Sequence, residues 1–373
     1  MVPLNQGAQV ADASPARVPA RSGAIWINED LSQYYLTLNE AVAAAKDGDV
    51  IHVNGGVTAD ALTNANVNKK VTVDITENVT VAGDGKVRGV TLSGGAKIQT
   101  KKPAKLTMSG FSTALVVGND SKITDGSYVL GGNAVGFALT GTGQIAGSSA
   151  RDSVVITVDS STGAGFSYTM DSKFINSTVS VNAGGQSEHY TRLTMENSSK
   201  GAWYYFDPAG GKGGISLDHS DFYVYKAPGS AYRNVMALFG NSEIKNGSTL
   251  TADGHRITLS GKMHVSSGSK VVIKNSSGGG LNINYAPGEA IFEDSTLETT
   301  NMNYVPSYGT GQSNGPCYLT FKGSSVVNTD NKDKTADNCG ANRGTKSTYV
   351  VLGGSYLVKY DPTFNHDVTT PTN

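Results

Sequence analysis

The apolar residues of segment 37–53, TLNEAVAAAKDGDVIHV, change from a helical to an alternating spacing. The first part predicts an amphipathic helix over residues 38–46, because its apolar positions recur on one helical face. That face consists of Leu38, Val42 and Ala45. Thr37 and Glu40 have the spacing of a capping box at the start of the helix, and the Asp-Gly pair at residues 47–48 is expected to end it.

The second part of this segment, residues 49–53, follows a strand pattern. Ile51 and Val53 fall on one side, and Val50 and His52 fall on the other. Beyond it the chain shows almost no helical periodicity, and short runs of β-branched residues are separated by glycines. The pattern therefore predicts an all-β protein that begins with a single helix.

From about residue 90 a short phrase recurs: two apolar residues one position apart, then two polar or glycine positions, and often a serine. The second apolar residue serves as a marker, at Leu92, Val117, Leu139, Thr169, Met195, Leu217, Phe239, Leu259, Phe292, Phe321 and Leu352. The ten steps average about 26 residues, a period typical of repeat architectures. Because the units contain strands and turns but no helix, the pattern indicates a β-solenoid, in which each coil buries its apolar face against its neighbours.

Serine often stands three positions after the marker, where the chain would turn between sheets. It occurs there at Ser172, Ser198, Ser220, Ser242, Ser295, Ser324 and Ser355. A hydroxyl at such a corner can hydrogen-bond nearby backbone groups.

The first coil of a solenoid would leave apolar side chains and an unpaired strand edge exposed, so we expect the helix at residues 38–46 to cap that end of the stack.

Composition narrows the possible functions. Hydrophobic residues make up 38% of the 373-residue chain and charged residues 16%, with 46 glycines, which is unlike charge-rich disorder or a helical bundle. The net charge of -1 and the absence of a basic block argue against nucleic acid as a partner. No run of 18 apolar residues occurs, so no membrane insertion is expected in this segment.

The phrases GDVIHV, GNDSKI, GSTLTADG, GSKVVI and DSTLET carry a family resemblance. They resemble the pectate-lyase-like right-handed β-helix domains that serve as adhesive regions in surface proteins of Gram-positive and gut bacteria. The resemblance covers roughly residues 24–361. It implies a right-handed parallel β-helix, an extracellular location at the bacterial cell surface, and a monomer.

Together these patterns predict four segments. Residues 1–22 and 362–373 have linker-like composition, residues 23–60 are expected to form an N-terminal strand-helix-strand cap, and residues 61–361 are expected to form the β-helix. Proteins with this fold include polysaccharide lyases and hydrolases, phage tailspikes, and non-catalytic adhesins, so the fold leaves the function open.

Catalytic residues would distinguish these classes. The resemblance implies that a hydrolase would carry an NTD tripeptide, then paired aspartates, then a His-Gly segment. VNTD occurs at residues 327–330, but the chain has no adjacent aspartates and no His-Gly dipeptide. We interpret Asp330 as part of a solvated charged loop. The sequence therefore favours a binding module without catalytic residues over a lyase or hydrolase.

Two pairs of residues are candidates for metal binding and for a disulfide. Glu196 and Asp218 each follow a marker, one coil apart, which would place their carboxylates about 5 Å apart at the normal strand spacing. Ca²⁺ accepts such oxygen ligands, and a plain outward-facing acidic pair is the alternative. Cys317 and Cys339 are 22 residues apart, close to one short coil, and a disulfide between them is favoured over two free thiols.

Aromatic residues concentrate in GAWYYFDPAGG and SDFYVYKAPGSAYRN, and several precede proline turns. Their rings would form a sugar-binding surface if the loops leave the coil at one corner. The predicted ligand-binding residues are Trp203, Tyr205, Tyr223, Tyr225, Lys226, Tyr232 and Arg233. The two cations favour an acidic polysaccharide or a host glycan such as mucin. The alternative is that half of these aromatics fill the coil interior.

Overall fold

In the computed structural model the chain is a β-solenoid built from parallel strands on successive coils. The structure describes residues 21–149, 153–159, 165–168, 172–182, 192–197, 200–203, 213–226, 234–238, 240–254, 256–276, 280–283, 289–302, 307–308, 317–331, 347–352 and 357–358. Strands and helices are numbered in chain order.

The solenoid is preceded by an antiparallel hairpin of β1 (Ile25–Ile27) and β2 (Asp30–Tyr35), followed by helix α1 (Leu38–Ala44). The predicted capping box is confirmed: Glu40 N donates to Thr37 Oγ1 (3.2 Å), and Thr37 N donates to Glu40 Oε2 (3.2 Å). Ala45 is the C-cap in extended conformation, so the helix is shorter than predicted.

Three side chains of α1, Leu38, Ala41 and Val42, are buried in the core that continues into the coils. Lys69 from the next coil donates to the carbonyl oxygens of Ala43 (2.9 Å) and Ala45 (2.7 Å), which satisfies backbone groups at the end of the helix. The role of α1 as a cap on the stack stays a prediction. A second short helix, α2 (Ala59–Leu62), follows before the next coil.

Sheet 1 is a ladder of strands that pair in parallel from coil to coil. Its strands are β3 (Val50–Val53), β5 (Thr72–Ile75), β8 (Lys97–Thr100), the first half of β11 (Lys122–Val129), β13 (Gln144–Ala146), β16 (Ser172–Ile175), β18 (Leu193–Glu196), β20 (Ile215–Asp218), β23 (Ser242–Lys245), β26 (Lys262–Ser266), β29 (Glu289–Glu293), β32 (Cys317–Lys322) and β34 (Ser347–Leu352). The ladder already includes β3, which lies in the segment predicted as the cap.

Sheet 2 is a second parallel ladder, which each coil reaches after a turn from sheet 1. Its strands are β6 (Val79–Ala82), β9 (Lys105–Ser109), the second half of β11, β14 (Val154–Val158), β17 (Ser177–Val181), β19 (Lys200–Trp203), β21 (Asp221–Tyr225), β24 (Thr249–Asp253), β27 (Lys270–Lys274), β30 (Thr296–Met302), β33 (Val326–Asn331) and β35 (Leu357–Val358).

Two shorter parallel ladders complete the described coils. Sheet 3 contains β4 (Ala65–Val67), β7 (Arg88–Leu92), β10 (Thr113–Val117), β12 (Val135–Leu139) and β15 (Phe166–Tyr168). Sheet 4 contains β22 (Asn234–Leu238), β25 (Arg256–Leu259), β28 (Leu281–Ile283) and β31 (Ser307–Tyr308). Inward side chains of all four sheets form one apolar core, in which the Phe137 and Phe166 rings stack at 4.4 Å between centroids.

The apolar markers lie on three different sheets. Leu92, Val117 and Leu139 pair in register on sheet 3, but Leu139 pairs next with Tyr168, so the marker at Thr169 is wrong by one residue. Markers further along lie on sheet 1, where Met195 pairs with Leu217. On sheet 4 the partner of Leu259 is Leu238, so the marker at Phe239 is also wrong by one residue. The recurring sequence phrase is therefore typical of the end of a strand, and it does not identify one particular sheet of the solenoid.

The turns from sheet 1 to sheet 2 share a tight backbone conformation. The first residue after the sheet 1 strand has positive φ at Asn176, Asn197, His219, Asn246, Ser267, Asp294 and Gly323. Asn, Asp and Gly tolerate this left-handed region better than most residues. After the turn a buried serine directly precedes or begins the sheet 2 strand in six coils, at Ser177, Ser220, Ser248, Ser269, Ser295 and Ser325. Of the serines predicted at corners, Ser220 and Ser295 belong to this column.

Candidate functional site

Tyr223 and Tyr225 lie side by side on the outer face of sheet 2. In β21 the side chains of Phe222 and Val224 are buried, so the alternation of the strand turns both tyrosines outward, where each is partly exposed. Their ring centroids are 5.4 Å apart and the ring planes are inclined by 34°. The pair forms a short aromatic surface on the outer face of sheet 2.

Asp253 lies next to this surface, one coil further along. Tyr225 pairs with Asp253 in the parallel register, and Asp253 pairs with Lys274. The Tyr223 hydroxyl donates to Asp253 Oδ2, and Asn275 Nδ2 donates to Asp253 Oδ1 at 2.7 Å. The Lys274 Nζ atom is 3.4 Å from Asp253 Oδ2 and 5.2 Å from the centroid of the Tyr223 ring. One carboxylate thus holds a phenol, an amide and an ammonium in one cluster.

The cluster shifts the pKa of both acidic groups in it. Burial raises the pKa of Asp253, but the hydrogen bonds from Tyr223 and Asn275 and the charge of Lys274 outweigh burial, and the net pKa is lowered. Burial and the hydrogen bond to the Asp253 carboxylate raise the pKa of Tyr223 to about 12. At neutral pH the site therefore presents a neutral phenol and an ionised carboxylate paired with a cation.

Tyr225 and Lys226 extend the cluster towards the neighbouring coils. The Tyr225 hydroxyl donates to Asn182 Oδ1, and Lys226 N donates to the carbonyl oxygen of Asp253 at 2.9 Å. The Lys226 side chain is partly exposed and has no ion-pair partner within the described ranges. It is therefore a cation at the edge of the tyrosine surface that is available to an anionic ligand.

The structure places the other predicted ligand-binding residues differently. Trp203 in β19 pairs with Val181 and Val224, which are both buried, whereas Tyr223 and Tyr225 occupy the alternate positions of the sheet. Its register position is therefore not that of the two tyrosines. Tyr205, Tyr232 and Arg233, which were also predicted to bind ligand, lie outside the described residues. The proline turns that follow residues 203, 226 and 283 lie outside them as well.

Glu196 and Asp218 directly follow the paired residues Met195 and Leu217, as predicted. The Glu196 Oε2 atom is 2.7 Å from Lys173 Nζ on the preceding coil, and Asp218 Oδ2 is 3.7 Å from Lys245 Nζ on the next coil. The described residues contain no group of three or more His, Cys, Asp or Glu side chains that could hold a metal ion. The Ca²⁺ site stays a prediction, and the observed contacts of the two carboxylates are with lysines.

Asp218 is further held by neutral and basic groups. Asn246 Nδ2 donates to Asp218 Oδ1 at 2.9 Å, and His219 Nδ1 is 2.6 Å from the same atom. Burial raises the pKa of Asp218, but these hydrogen bonds and the charge of Lys245 lower it by more. This cluster stabilises the tight turn at His219, whose φ is 48°.

The enzyme-like tripeptide and the cysteines lie near the end of the described chain. Asp330 is in strand β33 and pairs with Thr300, so its predicted placement in a loop is wrong. The charged run NTDNKDKTADN had suggested a loop. Its first four residues, 328–331, belong to strand β33. Cys317 is the first residue of β32, and the predicted disulfide partner Cys339 lies outside the described residues.

Sequence reasoning missed Asp253, Lys274 and Asn275 as parts of the site. They are 28 to 52 residues from Tyr223 and Tyr225 along the chain, and the coil-to-coil register brings them together. The signal that could have found them is the repeat itself, since a step of one coil from Tyr225 reaches Asp253.

Comparison of the chain with models of protein families, with curated proteins and with solved structures gave no match in any of the three.

In the part of the chain that the structure describes, none of the helices is long and apolar enough to span a membrane.

Proposed function

We propose that this chain is a non-catalytic glycan-binding module of a bacterial cell-surface adhesin, similar to the pectate-lyase-like right-handed β-helix domains. The observation that carries the proposal is the pair of tyrosine rings on the outer face of sheet 2, beside the polar cluster around Asp253. Sugars bind to aromatic faces through their C–H surfaces and to carboxylates, amides and ammonium groups through their hydroxyls. The site offers both kinds of contact.

The proposed ligand is an extended polysaccharide or a host glycan such as mucin, lying across several coils. Tyr223, Asp253 and Lys274 come from three successive coils, so a chain that crosses the strands would meet all of them. The charge of Lys226, which has no ion-pair partner among the described residues, favours an acidic glycan, and its contribution should weaken with salt. Each contact would be weak, and firm attachment would rely on many copies acting together at the cell surface.

The test compares a double variant at this site with a matched control elsewhere. Replacing Tyr225 and Lys226 with alanine should reduce binding on a glycan array by about tenfold, since it removes one ring and the available cation. The melting temperature should change little, because exposed side chains contribute little to the stacked core. Tyr34→Ala, at a tyrosine of the N-terminal hairpin that is 38% exposed, should leave glycan binding unchanged.

Normal binding by the double variant, or loss of its folded structure, would assign Tyr225 and Lys226 to the scaffold. The main alternative function is a polysaccharide lyase or glycoside hydrolase acting on acidic polysaccharide. Release of unsaturated uronates or of new reducing ends from acidic glycans, with Ca²⁺ present, would favour that enzyme. Absence of binding to any glycan on the array would favour a tailspike-like or passive structural stalk.

A further inference from the structure

Residues 86–122 carry a local excess of positive charge that the chain as a whole does not have. This segment holds seven basic side chains and one acidic side chain, a formal charge of +6, whereas the whole chain has a net charge of -1. The basic residues are Lys86, Arg88, Lys97, Lys101, Lys102, Lys105 and Lys122. The charge is therefore concentrated on the coils that contain strands β7 to β11.

Two of these lysines are stacked on the outer face of sheet 1. Lys97 and Lys122 pair in the parallel register of β8 and β11, and their neighbours in the same row are Thr72 and Gln144. Strands in a sheet are about 4.8 Å apart, and like charges directly opposite each other are destabilising. No carboxylate occupies the adjoining positions of this row to offset that repulsion.

Three more lysines extend the charge around the corner between sheet 1 and sheet 2. Lys101 follows β8 with the same outward alternation as Lys97, and Lys102 and Lys105 are exposed at the turn and at the start of β9. We call Lys97, Lys101, Lys102, Lys105 and Lys122 the lysine corner. None of the five has an ion-pair partner among the residues that the structure describes.

The nearest buried carboxylate, Asp74, offsets only part of the charge of the lysine corner, and the charge of Lys101 is one of the causes that lower the pKa of Asp74. Asp74 lies on sheet 1 beside Gln99, and its Oδ2 atom is 3.2 Å from His52 Nδ1 while Oδ1 accepts from Gln99 Nε2 at 3.1 Å. Asp74 is 7% exposed, so its charge is largely withdrawn from the surface. The exposed positive charge of the corner therefore faces solvent.

Several lysines on later coils form ion pairs within the described residues, unlike those of the lysine corner. Five of them contact carboxylates, in the pairs Lys173 with Glu196 (2.7 Å), Lys262 with Glu289 (3.1 Å), Lys270 with Glu298 (3.2 Å), Lys274 with Asp253 (3.4 Å) and Lys245 with Asp218 (3.7 Å). Carboxylates thus compensate these five outward lysines, whereas the described residues provide no such partner for the lysine corner.

From this contrast we propose that the lysine corner is a second binding surface, specific for a linear polyanionic polysaccharide whose anionic groups are sulfates or carboxylates. The corner lies on sheet 1, at the turn and at the start of one sheet 2 strand, on earlier coils than the two tyrosines, so the inference does not rest on the proposed tyrosine site. A rod-like chain lying over the corner would place successive anions against lysines of two coils and around the turn. Its binding would remove the repulsion between Lys97 and Lys122.

Two other anionic partners, nucleic acid and an anionic membrane, fit the corner less well. Nucleic-acid binding surfaces combine lysines with aromatic side chains that stack on bases, and the outward neighbours here are Gln99 and Thr124. Insertion into an anionic membrane needs exposed apolar side chains beside the charges. The large exposed apolar side chains of the described residues, Tyr34 and Leu36, are on the N-terminal hairpin or directly after it.

The experiment measures the affinity of the full chain for dextran sulfate and for hyaluronate, which present sulfates and carboxylates respectively, with neutral dextran as a reference. The Lys97→Gln/Lys122→Gln variant should lose about tenfold in affinity at low salt and show a weaker dependence of affinity on salt, because fewer counterions are released. Lys101→Gln/Lys102→Gln should show a similar loss.

The matched control is Lys245→Gln/Lys262→Gln, which removes the same formal charge from lysines that are already paired. It should lose less affinity than the lysine-corner variants at low salt, and less than about twofold at physiological salt, where long-range charge effects are screened. Circular dichroism and melting curves confirm that each variant is folded. Combining Tyr225→Ala/Lys226→Ala with Lys97→Gln/Lys122→Gln should give additive losses of binding free energy, which separates this surface from the tyrosine site.

Several results would overturn the proposal. They are absence of binding to both polyanions by the unmodified chain, an equal loss in the control, or unchanged affinity in both lysine-corner variants. Binding of double-stranded DNA at the same affinity, with the same loss in Lys97→Gln/Lys122→Gln, would assign the corner to nucleic acid instead.

Discussion

The Tyr223 hydroxyl and the Asp253 carboxylate come from neighbouring coils, and each alters the ionisation of the other. The phenol donates a hydrogen bond to an ionised acceptor, which stabilises the neutral form of the tyrosine and the charged form of the aspartate. Lys274 and Asn275 complete the cluster from the next strand. A few side chains therefore define the chemistry of this face of the solenoid.

The raised pKa of Tyr223 makes a measurable prediction. Its folded pKa of about 12 exceeds the ordinary value of 10.0, so its contribution to stability is complete below pH 10 and is lost as the pH rises through 12. Subtracting the alkaline ultraviolet titration of Tyr223→Phe from that of the unmodified chain should isolate one phenol that ionises near pH 12.

Asp253→Asn provides the control for this titration. Replacing the carboxylate removes the charge that opposes ionisation and should move the pKa of Tyr223 part of the way back towards its ordinary value, because burial remains. An unchanged titration in Asp253→Asn would show that the carboxylate does not act on the phenol.

Among the structural elements, the turn from sheet 1 to sheet 2 is the most regular. In six described coils a residue with positive φ precedes a buried serine, and serines of this column connect successive coils. Ser220 N donates to Ser248 Oγ (3.1 Å), Ser248 N donates to Ser269 Oγ (3.2 Å), and Ser248 Oγ donates to the carbonyl oxygen of Lys245 (2.6 Å). The column satisfies backbone groups that the change of sheet would leave without partners.

We predict that Ser248→Ala lowers the free energy of unfolding by about 1 to 3 kcal/mol, because the buried N–H of Ser220 loses its acceptor. The measurement is the midpoint of urea denaturation followed by circular dichroism. Ser266→Ala, on the outer face of sheet 1, should shift the midpoint by less than about 0.5 kcal/mol. Equal effects of the two substitutions would contradict the role assigned to the column.

The whole molecule carries stabilising carboxylates distributed along its length. Asp74, Asp218 and Asp253 lie on early and middle coils, and the pKa of each is lowered because hydrogen bonds and nearby cations outweigh the effect of burial. Their charged forms therefore stabilise the fold above the ordinary pKa of 3.8, and this contribution is lost as the pH falls through their lower folded values.

The melting temperature should accordingly decrease once the pH falls below 3.8, and more steeply than it changes between about pH 5 and 7. Thermal melts over a pH series measure this. Asp253→Asn should lower the melting temperature at neutral pH and reduce its dependence on pH in the acid range. A melting temperature that stays constant down to about pH 2.5 would contradict the proposed contribution of the three carboxylates.

The sequence alone determined the features that depend on neighbouring residues. The capping box of Thr37 and Glu40, the alternation of β3 and the β-solenoid class were all predicted, because hydrogen bonds within a helix turn and the two-residue period of a strand are local. Tyr223, Tyr225 and Lys226 were also selected from local composition as candidate ligand-binding residues, and that role stays a prediction.

Only the tertiary structure decided which residues meet across coils. It paired Leu139 with Tyr168, put Asp330 in a strand, gave Trp203 the register of Val181 and Val224, and brought Asp253 and Lys274 to the tyrosines. It also showed that Lys97 and Lys122 are stacked without a carboxylate between them. The physical reason is that loops of unequal length separate the strands, so the register between coils depends on how the whole coil closes and packs.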